Sequence, residues 1–159
     1  MLLKGITDED FLNFKVPSMF ISTAYCSFKC DQDCGRQVCQ NKDLMSQDDI
    51  LTDDIYLIRR YLKNPITKAI VFGGLEPFDQ WGELFPFIQN LRLRFGCTDP
   101  VVIYTGYNKD EIDGELRFLA SMPNIIVKFG RYIPDQKPHF DPLLGVALAS
   151  DNQYAEQIS

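Results

Sequence analysis

AIVFGGLEPF, residues Ala69–Phe78, is the segment from which the architecture is read. Four apolar residues in a row, with no polar alternation, suit a strand buried on both faces, as in a parallel sheet. Gly73-Gly74 ends the run, and Glu76-Pro77 follows. The same signals recur on either side. Upstream, Ser18–Thr23 reads as a strand. Between the two strands a helix is predicted: Ser46 and Asp49 have capping-box spacing, and Leu51, Ile55, Ile58 and Leu62 form one stripe that stops at Asn64-Pro65. Downstream, a helix is predicted between Asp79 and Phe95, with Leu84, Ile88 and Leu91 on one face and Pro86 in its first turn or at a kink. Strand Val101–Tyr104 closes on Thr105-Gly106, and Asn108 with Glu111 opens a helix carrying Ile112, Leu116 and Leu119. Ile125–Val127 is a fourth strand. The last thirty residues, with Pro134, Pro138 and Pro142, read as an irregular tail, 130–159, with at most one short element. Strands alternating with helices predict an α/β fold with a mostly parallel sheet. Four or so such units make an open sheet or a partial (β/α) barrel, because a full barrel needs a longer chain. Residues 1–159 read as a single domain.

The formal net charge is −6 and the isoelectric point about 4.7, with no lysine and arginine cluster. That excludes the basic face of a nucleic-acid binder. The opening MLLKGITDED turns acidic before an apolar run develops, unlike a signal peptide, and no apolar segment is long enough to cross a bilayer. A soluble, cytoplasmic protein is expected, one that binds neither membrane nor nucleic acid. In a reducing compartment, clustered cysteines point to metal or catalysis more than to disulfides.

TAYCSFKCDQDCGRQVCQNKDL, Thr23–Leu44, carries four of the five cysteines: Cys26, Cys30, Cys34 and Cys39. They lie in a loop, 24–45, that follows the first predicted strand. A structural zinc site is one reading, although zinc sites usually pair short-spaced ligands across intervening chain, and the gaps here are three, three and four residues. Disulfides are a weaker alternative. The third reading is an iron–sulfur cluster held by three cysteines, with one iron open above the carboxyl edge of the sheet. Ligands of open α/β sheets bind beyond that edge, and GGLEPF and TGYN end the next two strands there.

These segments resemble a known family. Cys26-Ser-Phe-Lys-Cys30 is similar to the opening of the radical S-adenosylmethionine signature, and Gly73-Gly74-Leu75-Glu76-Pro77 to that family's glycine-glycine-glutamate-proline segment. More narrowly, the chain resembles the activating proteins of anaerobic ribonucleotide reductases. Cys39-Gln40-Asn41, Val102–Tyr107 ending in Thr-Gly-Tyr, Phe129-Gly130-Arg131-Tyr132 and Ser150–Gln153 match that group's segments in order, over nearly the whole chain. The usual cysteine spacing is three residues, then two; here no cysteine follows Cys30 at that distance. Cys39 is favoured as third ligand because Gln40-Asn41 follows it and Val38 precedes it, whereas Cys34 stands beside Asp33; Cys34 remains the alternative. Leu75 is an extra residue, and Phe129 replaces an aspartate whose role therefore does not carry over.

The resemblance implies a 4Fe-4S cluster on Cys26, Cys30 and Cys39, with S-adenosylmethionine chelating the open iron. One-electron reduction would cleave the sulfonium to a 5′-deoxyadenosyl radical, chemistry that belongs to the cofactor. Gly73 and Gly74 would let backbone approach the cofactor's ammonium, Glu76 would add charge-assisted attraction, and Pro77 belongs to the same segment. An ordinary strand-to-helix turn accounts for this segment equally well when it is taken alone. Thr105, Gly106 and Tyr107 would sit near the ribose or adenine, or simply form a turn; Asn152 and Gln153 would close the site from the tail, or lie in solvent. No further catalytic residue is implied. The implied function is formation of a glycyl radical on a partner enzyme, the large subunit of an anaerobic ribonucleoside-triphosphate reductase, with flavodoxin or ferredoxin as reductant. Two alternatives stay open: the same chemistry on a peptide or small molecule, and a non-catalytic zinc module. His139 reads as a surface loop residue, Cys97 as structural, and Asp8-Glu9-Asp10 as a solvated cap.

Overall fold

The computed structural model describes all residues, Met1–Ser159. Its main sheet has seven strands: β1 (Leu2–Asp10), β2 (Ser18–Thr23), β3 (Ile50–Leu51), β4 (Ala69–Gly74), β5 (Val101–Tyr104), β6 (Ile125–Phe129) and β9 (Tyr154–Gln157). A separate hairpin pairs β7 (His139–Asp141) with β8 (Val146–Leu148). The helices are α1 (Lys29–Cys34), α2 (Asp54–Lys63), α3 (Trp81–Gln89) and α4 (Asp113–Leu119).

In the order β3-β1-β2-β4-β5-β6-β9, the four central strands are parallel and are the four predicted from sequence. The outer pairings are antiparallel, and β3 and β9 are free edges, so the sheet is open rather than a closed barrel. The apolar run of β4 serves two cores. Ile70 and Phe72 pack with the apolar faces of α2, α3 and α4, while Ala69 and Val71 pack with Phe14, Leu144 and Leu148 beneath the hairpin. Side chains alternate across a strand, so a strand covered on both sides has no place for a polar residue.

Several expectations are corrected. The helix predicted from Ser46 begins at Asp54, capped by Asp53, whose carboxylate accepts from the Tyr56 amide at 2.9 Å. It buries Leu57, Ile58 and Tyr61; Leu51 is instead an exposed residue of edge strand β3. Of the expected stripe, Leu51 is lost to β3, which pairs with β1, and within α2 Leu62 is exposed while Leu57 and Tyr61 join Ile58 on the buried face. The tail is not irregular: it supplies β7, β8 and β9. Asp141 holds this together, accepting from the amides of Leu143 and Leu144 at 2.9 Å and of Ala155 at 3.0 Å. His139 is a half-buried residue of β7 rather than a loop residue. The acidic triplet ends β1: Asp8 pairs with Arg60, and the buried Asp10 accepts from Asn13. As expected, Cys97 packs against the core and α4 follows a capping box at Asn108 and Glu111.

Candidate metal centre

At the carboxyl ends of the parallel strands, on the face opposite α2, α3 and α4, is a cavity of about 460 Å³. β2 leads into it through a loop bonded to the segment after β4. The Ala24 amide donates to Gln80 Oε1 at 2.5 Å, the Glu76 amide to the Tyr25 carbonyl at 2.8 Å, and the Ser27 amide to Asp79 Oδ2 at 2.5 Å. Phe28 adopts a left-handed backbone, φ 54°, and starts α1. From α1, Asp31 Oδ1 accepts from the amides of Val38 at 2.7 Å and Cys39 at 2.8 Å, folding the loop back on itself. Asn41 then donates to the Gly74 carbonyl at 2.7 Å. Cys26, Cys30 and Cys39 line the cavity as a result; Cys34, at the end of α1, does not.

The other walls come from the next two strand ends: Gly73, Gly74, Leu75 and Glu76 after β4, and Thr105 and Gly106 after β5. Glu76 joins them. Its buried carboxylate accepts from the Phe78 amide at 3.1 Å, the Thr105 hydroxyl at 2.7 Å and the Gly106 amide at 2.8 Å. Burial raises this carboxyl to about 7 against the pull of those donors. Gly74 has φ 81°, and a Cβ there would lie 2.9 Å from Ser22 Cβ. Gly74→Ala is therefore expected to cost about 1–3 kcal/mol, read as a lower melting temperature. Pro77 opens a short 3₁₀ turn and is buried behind the wall rather than lining it. Tyr107 also lies outside the lining; its hydroxyl donates to Asp79 Oδ1 at 2.6 Å. Gln153 lines the cavity, accepting from the amides of Ala149 and Ser150 and donating to the Gly130 carbonyl. Asn152 ties the tail to the Arg131 carbonyl at 2.9 Å without reaching the cavity.

Asp31, Asp79 and Gln80 organise the loop yet carry no periodicity or motif spacing that would single them out in the sequence. Arg131 and Glu111 are tied more tightly than a turn match and a cap suggest. Arg131 makes two 2.6 Å bonds to Glu111, and its Nε lies 2.9 Å from Asp33 on α1, in ion-pair range though without hydrogen-bond geometry. The Arg131 guanidinium, with the Asn108 amide and Lys29, holds the Glu111 carboxyl down to about 2 from an ordinary 4.5. A depressed carboxyl stabilises the fold above its ordinary value, and that contribution is lost as pH falls towards 2. In the apoprotein, the melting-temperature advantage of wild type over Glu111→Gln should therefore shrink between pH 4.5 and 2.

All five cysteines are free thiols. Burial raises the thiols of Cys26, to about 12, and of Cys30 and Cys39, so binding a cation there must release protons. No trio of Cys, His, Asp or Glu side chains gathers closely enough to chelate a single ion. Three soft sulfur donors around a cavity of this size suit a polynuclear iron–sulfur group. Gly106 borders that space: a Cβ there would touch Cys30 Sγ at an ordinary contact distance, 3.5 Å.

Comparison with protein families matches residues 17–149, most of the chain, to the 4Fe-4S single cluster domain. The chain belongs to that family. The match takes in the whole cysteine loop and all four parallel strands, so a 4Fe-4S cluster is the group indicated for this cluster domain. Comparisons with curated proteins and with solved structures found no match. No helix of the cluster domain is long and apolar enough to cross a membrane.

Proposed function

We propose that this protein is a radical S-adenosylmethionine activase that forms a glycyl radical on a partner enzyme, an anaerobic ribonucleoside-triphosphate reductase. One observation carries the reading: three consecutive parallel strands deliver Cys26, Cys30 and Cys39, then Gly73, Gly74 and Glu76, then Thr105 and Gly106, to a single cavity. When bound, the cluster and S-adenosylmethionine supply one-electron reductive cleavage of a sulfonium. Cys26, Cys30 and Cys39 are the proposed cluster ligands. Gly73 and Gly74 let backbone carbonyls approach the ligand's ammonium, and Thr105 and Gly106 form the wall for its nucleoside end. Glu76 differs from the sequence reading. Its oxygens are taken by Phe78, Thr105 and Gly106, so it fixes the two loops in register more than it binds ligand. Gln153 closes the cavity from the tail, and Asn152 anchors that closure.

Protein reconstituted without oxygen should hold about four iron and four sulfide per chain. Reduced with dithionite in the presence of S-adenosylmethionine, it should release 5′-deoxyadenosine, and with a candidate reductase it should give a glycyl radical signal in electron paramagnetic resonance. A loaded cluster that yields no deoxyadenosine overturns the radical reading. Deoxyadenosine without a protein radical points to a peptide or small-molecule substrate.

A further inference from the structure

Lys128 is anomalous in β6. It interrupts an apolar strand, is 7% exposed, and lies in the cavity wall, where register pairs it with Tyr104. Its ammonium donates to the Gly130 carbonyl at 2.9 Å and has no carboxylate in ion-pair range. It is the only lysine or arginine among the lining residues; Glu76 is the only carboxylate, and its oxygens are engaged elsewhere. A buried cation with one carbonyl partner is costly, and it is retained at a site where something anionic compensates it. The same cavity offers three thiols. As thiolates on a 4Fe-4S core they would leave the bound group net negative, and one charge more negative after reduction.

We propose that Lys128 is the counter-cation of this cavity: its ammonium balances the thiolate charge of the bound cluster and raises the cluster's reduction potential. The inference rests on the cluster reading of the cavity and not on the identity of any substrate. A fixed positive charge favours the more negative, reduced state, and net charge is one of the levers that set iron–sulfur potentials. Burial lowers the ammonium to about 8, with Glu76 and Cys30 opposing that shift, and an anionic group in the cavity would favour its charged form further.

Wild type, Lys128→Met, Lys128→Gln and Lys128→Arg would be reconstituted without oxygen, assayed for iron and sulfide, and titrated with dithionite under electron paramagnetic resonance. The two neutral variants should shift the one-electron equilibrium at least tenfold towards the oxidised cluster, a fall of about 59 mV, while Lys128→Arg stays near wild type. Equal iron content with an unchanged potential in both neutral variants overturns the proposal. So does weaker S-adenosylmethionine binding with an unchanged ligand-free potential, which would make the ammonium a partner for a ligand carboxylate. A wild type that takes up no iron would sink the cluster reading itself, and this proposal with it. The apoprotein gives a readout free of the cluster: Lys128→Met should melt higher than wild type, because a buried charge with one carbonyl as its hydrogen-bond partner has gone. A lower melting temperature would show that the ammonium is already satisfied in the empty cavity, and would overturn the proposal.

Discussion

Alanine at Cys26, Cys30 or Cys39 is expected to abolish cluster loading, whereas Cys34→Ala should load like wild type. The three thiols share one cavity, and Cys34 lies outside it at the end of α1. The Asp31 carboxylate turns the loop back through the amides of Val38 and Cys39, so the thiol with the longer sequence gap is the one brought to the cavity. Each thiolate supplies a ligand bond that no neighbouring side chain can replace, because Glu76 is the only other anionic residue in the lining. The effect is therefore all-or-none. Iron and sulfide analysis after anaerobic reconstitution reads it, with circular dichroism to show that the fold is retained. A cluster lost in Cys34→Ala and kept in Cys39→Ala would reverse the assignment. Asp31→Ala should weaken loading less than loss of Cys39, since it removes the device that positions the thiol rather than the thiol.

Glu76→Ala is expected to destabilise the apoprotein by about 3 kcal/mol, since each buried donor left without an acceptor costs roughly 1–3 kcal/mol and water entering the cavity would recover part of it. The carboxylate is the single acceptor for the Phe78 amide, the Thr105 hydroxyl and the Gly106 amide, and through them it links the segment after β4 to that after β5. Glu76→Gln keeps the volume and one acceptor oxygen, so it should lose markedly less. Denaturant unfolding of the two variants separates these outcomes; equal losses would show that burial of the side chain matters and its acceptors do not. The raised carboxyl adds a check on sign. A carboxyl held above its ordinary value of 4.5 favours the fold while protonated, and that contribution fades as pH rises towards 7.

The central sheet was legible because burial on both faces leaves a signal that needs no partner to interpret. AIVF in β4, VVIY in β5 and IIV in β6 are apolar without interruption, and the structure pairs all three in parallel. The flanking strands left no such signal. β1 is half polar and ends in Asp8-Glu9-Asp10, which reads as a solvated cap until Arg60 and Asn13 are brought to it. β9 is an edge strand of four residues, one face of which needs no apolar side chain. The Leu51 to Leu62 stripe misled at its start because a pairing with β1 claimed Leu51, a contact made almost fifty residues away that a local period cannot register, and at its end because Tyr61 rather than Leu62 faces the core.

For the site, the residue types were a property of the chain: soft thiols in one loop, a glycine pair after β4, Thr105-Gly106 after β5. Sequence order placed those segments at one edge of the sheet, because parallel strands all end on the same side. Only folding brought Cys26, Cys30 and Cys39, the set favoured from the resemblance, to one cavity, turned Glu76 into a link between loops, and buried Lys128 with one carbonyl for company. Each of those outcomes depends on atoms far apart along the chain, where spacing carries no information and only distance in space sets the energy.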